Sequence, residues 1–165
     1  MTHRVFFALW PPEPIAGELA QWQAALPRHH GRLVPRHNLH LTLAFAGDVS
    51  AETLACLRAG ASTVRGEPVT VTLEQCGRFG PLLWAGPEST PAPLAQLATA
   101  LADALAQCGL ERDPRPYVPH VTLVRALRQE LTVAPPATGW RSDDFCLAES
   151  RRGEPYRILQ RYPLA

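Results

Sequence analysis

The run His40-Leu41-Thr42-Leu43 recurs as His120-Val121-Thr122-Leu123, a His-x-Thr-Leu unit repeated eighty residues along a chain of 165. Random shuffling of such a composition yields two copies on the order of once in several hundred chains. Both copies sit in apolar surroundings, HLTLAF and PHVTLVR, that read as extended backbone. On a strand, residues two apart project to one face about 6.6 Å from each other. His40 and Thr42 therefore share a face, as do His120 and Thr122, while Leu41, Leu43, Val121 and Leu123 turn into a core.

Two such strands opposed across a cleft would converge two imidazoles and two hydroxyls on one small anion. Imidazole titrates near neutral pH, so the pair can supply a general acid and a general base. The hydroxyls can hold the anion's oxygens. In-line opening of a phosphodiester suits this set: one histidine takes a proton from water or a hydroxyl, and the other protonates the departing alkoxide. Neither a metal nor a covalent intermediate is required.

Several elements must position these strands. Arg4 to Trp10 reads as a strand stopped by Pro11 and Pro12, and Ile15 to Leu26 as a helix. Extended pieces follow at 32–36 and 39–46, closed by Gly47 and Asp48. Ser50, three residues before Thr53, is a plausible N-cap for an alanine-rich helix to about Val64. The segments VTVTLEQCGRFG and PLLWAG resemble a hairpin, with half-buried alternation from Val69 to Leu73. Leu94, Leu97, Leu101 and Leu105 mark a helix that Gly109 should end. Extended segments at 117–127, 145–149 and 156–162 complete the order β-α-β-β-α-β-β-α-β-β-β, with a proline-rich loop at Pro135 and Pro136. No linker divides it, so residues 1–165 are expected to form a single domain of two similar lobes.

Composition removes other classes. Sixteen basic residues against fifteen acidic leave a net charge of +1, so contact with nucleic acid should be local rather than a coating of its backbone. All sixteen are arginine. A P-loop lysine, a Schiff-base lysine and a lysyl-nucleotide intermediate are thereby excluded. Cys56, Cys76, Cys108 and Cys146 form no C-x-x-C pair and are expected to be reduced structural thiols of a cytoplasmic protein. His29, His30 and His37 precede His40 without acidic companions or H-E-x-x-H spacing, so they read as loop histidines, and no metal or other cofactor is expected. The run VFFALW is too short for a signal-peptide core, and nothing approaches the ~20 apolar residues of a membrane span. No membrane or obligate protein partner is expected, and the chain reads as a monomer.

With these residues in view, the sequence resembles the 2H phosphoesterases, named for paired His-x-Thr motifs, and among them the bacterial RNA 2′,3′-cyclic phosphodiesterases, also called 2′-5′ RNA ligases. RVFFALWPP, NLHLTLAFAGDV, RFGPLLWAG, PYVPHVTLVR and ESRRGEPYRILQRYPL carry the likeness over nearly the whole chain. It implies an α+β, bilobal fold with two pseudo-symmetric lobes, antiparallel sheets lining a central cleft and helices outside. It further implies catalysis by His40 and His120 with Thr42 and Thr122 binding substrate, and opening of a 2′,3′-cyclic phosphate to a 2′-phosphomonoester. In that scheme His120 is the base for water and His40 the acid for the 3′ oxygen. The reverse reaction would join a 5′-hydroxyl to a cyclic end through a 2′-5′ linkage. Partners would be RNA ends or small nucleotides bearing a 2′,3′-cyclic phosphate.

Arg125 matches a basic position of the family and would help neutralise the phosphate. Phe45, at the equivalent place in the first unit, is assigned a ring for base stacking. Each stands five residues past its histidine, so an unbroken strand would turn both away; a bulge or the strand end must intervene. Arg151, Arg152, Arg157 and Arg161 either guide RNA toward the cleft or decorate a solvated strand. The contrasting functional reading is a noncatalytic module on the same fold that binds RNA termini or nucleotides.

Overall fold

The computed structural model describes residues 1–28 and 31–165; His29 and His30, two of the expected loop histidines, lie outside the described residues. The chain runs through β1 (Thr2–Leu9), α1 (Glu13–Ala24), β2 (Arg32–Leu33), a 3-10 turn (Arg36–Asn38), β3 (Leu41–Ser50), α2 (Ala51–Thr63), β4 (Val69–Thr72), β5 (Gln75–Phe79) and β6 (Leu82–Gly86). It continues through α3 (Ala92–Gln107), β7 (Val121–Arg125), β8 (Gly139–Ser142), β9 (Asp144–Ser150) and β10 (Arg157–Pro163). All strand pairings are antiparallel.

The main sheet has the order β10-β9-β1-β3-β7-β6-β5, with β2 added to β7. Among the described residues β3 and β7 pair at one position, Leu41 with Val121, and β2 continues along β7 through Arg32 with Arg125 and Leu33 with Val124. Leu41 and Val121 are the residues that follow His40 and His120. Beyond that single pairing β3 and β7 part, so the seam between the lobes is also where the two His-x-Thr units lie. The connections β1-α1-β3 and β6-α3-β7 repeat one another, which gives the α+β fold its bilobal pseudo-symmetry.

Strand alternation sorts the two faces. Val5, Phe7, Leu9, Leu41, Leu43, Val121, Leu123, Phe145 and Leu147 are buried in one core beneath the helices. Leu94, Leu97, Leu101 and Leu105 of α3 join them, as their spacing predicts. The other face carries Phe6, Ala8, Cys146 and Ala148, with Trp10, Tyr156 and Ile158 packed against them.

Local signals set the helix ends. Ser50 accepts from the Thr53 amide at 3.1 Å, an N-cap of about 1 kcal/mol. At the C-terminus of α3, Gly109 takes a φ of +86°. Its amide bonds the Ala106 carbonyl at 3.0 Å and the Leu110 amide bonds that of Leu105 at 3.1 Å, the paired closure of a Schellman turn.

Three expectations need correction. VTVTLEQCGRFG is not one arm of a hairpin: β4 leaves to pair with β8 in a separate ribbon, and only β5 forms the hairpin with β6. The alternation of Val69 and Val71 was legible, but its partner, the short stretch GWRS with buried Trp140, lacks a strand's length and branching. β3 does not close at Gly47 either; the glycine, at φ +81°, is accommodated within the strand beside a register shift against β1. Finally, Cys56 of α2 and Cys108 at the end of α3 are joined in a disulfide, their Cα atoms 5.9 Å apart and 52 residues distant in sequence. Only the packing of α2 against α3 brings them together; Cys76 and Cys146 are free thiols.

Candidate active site

The parity objection is answered by a pair of matched bulges. Along β3, Thr42 faces Ala8 and Ala44 faces Phe7, so Leu43 is the extra residue. Along β7, Thr122 faces Trp84 and Val124 faces Leu83, so Leu123 is the extra residue. Each unit therefore bulges at the leucine that closes it. Two consecutive side chains, Leu43 with Ala44 and Leu123 with Val124, face the core, and the alternation restarts one residue late. Phe45 consequently stands opposite Phe6 on the cleft face, and Arg125 returns to the face of His120 and Thr122.

The two imidazoles are held in the same way. His40 Nδ1 lies 2.7 Å from the Asn38 carbonyl oxygen and His120 Nδ1 2.7 Å from that of Val118. A carbonyl only accepts, so in both rings Nδ1 carries the proton and Nε2 is left for chemistry. His40 Nε2 is 3.0 Å from Thr42 Oγ1, which donates to it while the ring is neutral. Tyr117, three residues before His120, donates to the main-chain oxygen of Thr42 at 2.8 Å and so ties one unit to the other.

Aromatic rings wall both histidines. Trp10 stacks on His40 at 5.0 Å, with Phe6 at 4.9 Å and the edge of Tyr156 at 5.3 Å. Phe79 meets His120 edge-on at 5.1 Å and Trp84 lies 5.8 Å away. Trp84 can lie flat because Gly77 is its cross-strand partner: a Cβ there would sit 2.1 Å from the indole. Burial among these rings pushes the His40 pKa down to about 4, the Asn38 carbonyl working against it and the charges of Arg125 and His120 adding to it. Burial likewise lowers His120, opposed by the Val118 carbonyl. Burial thus favours the neutral form of both rings.

Arg125 reaches the Tyr156 hydroxyl at 3.4 Å and its charge is felt by His40, which places it across the seam between the lobes. Phe45 is 54% exposed, with the Arg4 guanidinium 4.8 Å over its ring. Of the C-terminal arginines, Arg151 pairs with Glu149 and Arg161 with Asp144. Arg161 also lines a shallow groove with Trp10, Pro11, Pro12 and Arg141. Arg152 and Arg157 are exposed. Among the described residues no three His, Cys, Asp or Glu side chains gather as metal ligands, and no helix is long and apolar enough to cross a membrane. Sequence reasoning missed Trp10, Phe79, Trp84, Tyr117 and Tyr156 as site residues. Trp10 and Tyr156 lie far from the histidines in sequence, and only strand order and the turn into β10 carry them there.

Mirrored His-x-Thr strands meeting at the seam of a bilobal antiparallel sheet define the 2H phosphoesterase class. Comparison with known proteins narrows this. Residues 11–154 match the model of the 2′-5′ RNA ligase superfamily. The RNA 2′,3′-cyclic phosphodiesterase of Escherichia coli is 38% identical over 83% of this chain and 80% of its own. The protein of that name from Thermus thermophilus is 30% identical over 98% of this chain and 90% of its own. A crystal structure of E. coli LigT complexed with 3′-AMP superposes with a TM-score of 0.93 at 34% identity, covering 100% of this chain and 99% of that one. The chain belongs to the 2′-5′ RNA ligase superfamily.

Proposed function

We propose that the protein is a 2′,3′-cyclic phosphodiesterase acting on RNA ends, opening the cyclic phosphate to a 2′-phosphomonoester. The observation that carries this reading is the mirrored pair of imidazoles, each with Nδ1–H tied to the carbonyl two residues before it and Nε2 left to react. The names borne by the relatives support it, as does the LigT structure holding a nucleoside monophosphate.

His120 Nε2 takes a proton from water as the water oxygen bonds to phosphorus. The bond from phosphorus to the 3′ oxygen breaks, and His40 Nε2–H gives that oxygen its proton. Both protons exchange back through solvent. Burial, with the charge of Arg125 adding to it, makes the His40 imidazolium the stronger acid, and a bound phosphate anion would favour its protonated form. Thr42 and Thr122 hold the phosphate oxygens, Arg125 offsets their charge and Phe45 offers its exposed ring to a base. With a 5′-hydroxyl in place of water as the nucleophile, the same groups would join it to phosphorus as the 3′ oxygen leaves with its proton, giving a 2′-5′ linkage.

Incubation with uridine 2′,3′-cyclic phosphate in EDTA should yield uridine 2′-phosphate, and His40→Ala or His120→Ala should lower kcat by at least about a hundredfold with folding intact. Unchanged substrate would favour a noncatalytic nucleotide-binding module. A 3′-phosphate product would reverse the regiochemistry.

A further inference from the structure

Tyr156 enters the cleft from the turn before β10. Its amide donates to Asn38 Oδ1 at 2.9 Å, and the main-chain oxygen of that same Asn38 holds His40 Nδ1–H at 2.7 Å. One residue thus sets both the histidine and the tyrosine. The phenol ring meets His40 edge-on at 5.3 Å, with Phe6 at 5.3 Å and Trp10 at 6.3 Å. From the other lobe, Arg125 donates to the phenol oxygen at 3.4 Å.

The donor balance at that oxygen is informative. A guanidinium has no acceptor, so the contact uses a lone pair of the phenol and leaves the hydroxyl proton unspent. Among the described residues Arg125 is the hydroxyl's one hydrogen-bond partner, and no acceptor takes its proton. A half-buried O–H beside a cation and an imidazole is set to donate to an anion brought in by the ligand.

Resting on the hydrolase reading above, we propose that Tyr156 is a further substrate-binding residue. Its hydroxyl and Arg125 form a two-donor clamp on one non-bridging oxygen of the phosphate. The clamp takes one arm from each lobe, so the oxygen is gripped only where the lobes meet. Thr42 and Thr122 are left to the remaining oxygen and to the histidines.

Tyr156→Phe removes one hydroxyl and keeps the ring, so it separates the clamp from aromatic packing. Binding of adenosine 2′-phosphate, orthophosphate and adenosine is measured by calorimetry in EDTA, alongside turnover of uridine 2′,3′-cyclic phosphate. In the variant both phosphate-bearing ligands should bind about tenfold more weakly, with adenosine and the melting temperature unchanged. Because the two groups grip one oxygen, Tyr156→Phe with Arg125→Ala should lose less than the product of the two single losses. Unaltered phosphate binding in Tyr156→Phe, an equal loss for adenosine, or a wild type that binds neither phosphate ligand would each overturn the clamp. A wild type that binds the phosphates but turns nothing over sinks the hydrolase reading alone. Turnover unaffected by Tyr156→Phe sinks the clamp alone.

Discussion

At the scale of single residues, the site is governed by what burial does to two imidazoles. Each donates its Nδ1–H to a carbonyl and sits among rings, and both effects have a reason: orientation costs solvation. His40 falls to about 4 and His120 is also lowered, so the state with one proton shared between them lies below neutrality in the empty enzyme. The kcat/KM profile reports that free enzyme. It should therefore be bell-shaped with its optimum below the ordinary histidine pKa of about 6.5 and an acid limb near 4. A pH–rate series with a cyclic mononucleotide checks this, and an optimum at or above pH 7 would contradict it. Once the phosphate anion binds, the charged imidazolium is favoured, so the kcat profile should shift upward relative to that of kcat/KM.

Elements decide whether those residues can aim, and here the matched bulges at Leu43 and Leu123 matter most. The second is pinned by α1, whose Gln23, 4% exposed, donates through Nε2 to the carbonyls of Leu123 at 2.8 Å and Val34 at 3.0 Å. Gln23→Leu keeps the volume but leaves the Val34 oxygen without that donor, and holds Leu123 only by the Val34 amide. The variant should lose about 1–3 kcal/mol in a urea melt. It should also lower kcat/KM, because Arg125 owes its orientation to the bulge. Normal turnover at reduced stability would show that the bulge holds without help. The paired His-x-Thr units, the alternation of β4 and the leucine periodicity of α3 were legible because each repeats at the period of its element. The need for a bulge was legible too, since two residues five positions from a histidine violated parity. Its location and its Gln23 anchor were not, because both depend on strand neighbours up to 100 residues away. The ring walls escaped for the same reason, with Trp10 and Tyr156 arriving from the two chain ends to flank His40.

For the molecule as a whole, β3 and β7 pair at one position and the two-residue β2 adds little more along β7, so the seam between the lobes is short and the cleft must be braced from behind. The helices supply that brace. α2 leaves β3, α3 leads into β7, and the Cys56–Cys108 disulfide locks the two together on the side of the sheet away from the histidines. Closing a loop of 52 residues restricts the unfolded chain and contributes about 4 kcal/mol in the chain-entropy account. Cys56 lies in α2, and Cys108, packed against the core beneath the sheet, ends α3, so the bond should matter to stability and not to chemistry. Cys56→Ser, or dithiothreitol added to the wild type, is expected to lower Tm by about 10 °C, taking ~2–4 °C per kcal/mol for a chain of this size. kcat at 25 °C should stay within about twofold, the scale of ordinary context effects and well short of one lost hydrogen bond to a charged group. A melting curve indifferent to reductant would remove the disulfide from the brace. A large loss of kcat on reduction would instead mean that the helices transmit their spacing to β3 and β7, and that the width of the cleft depends on them.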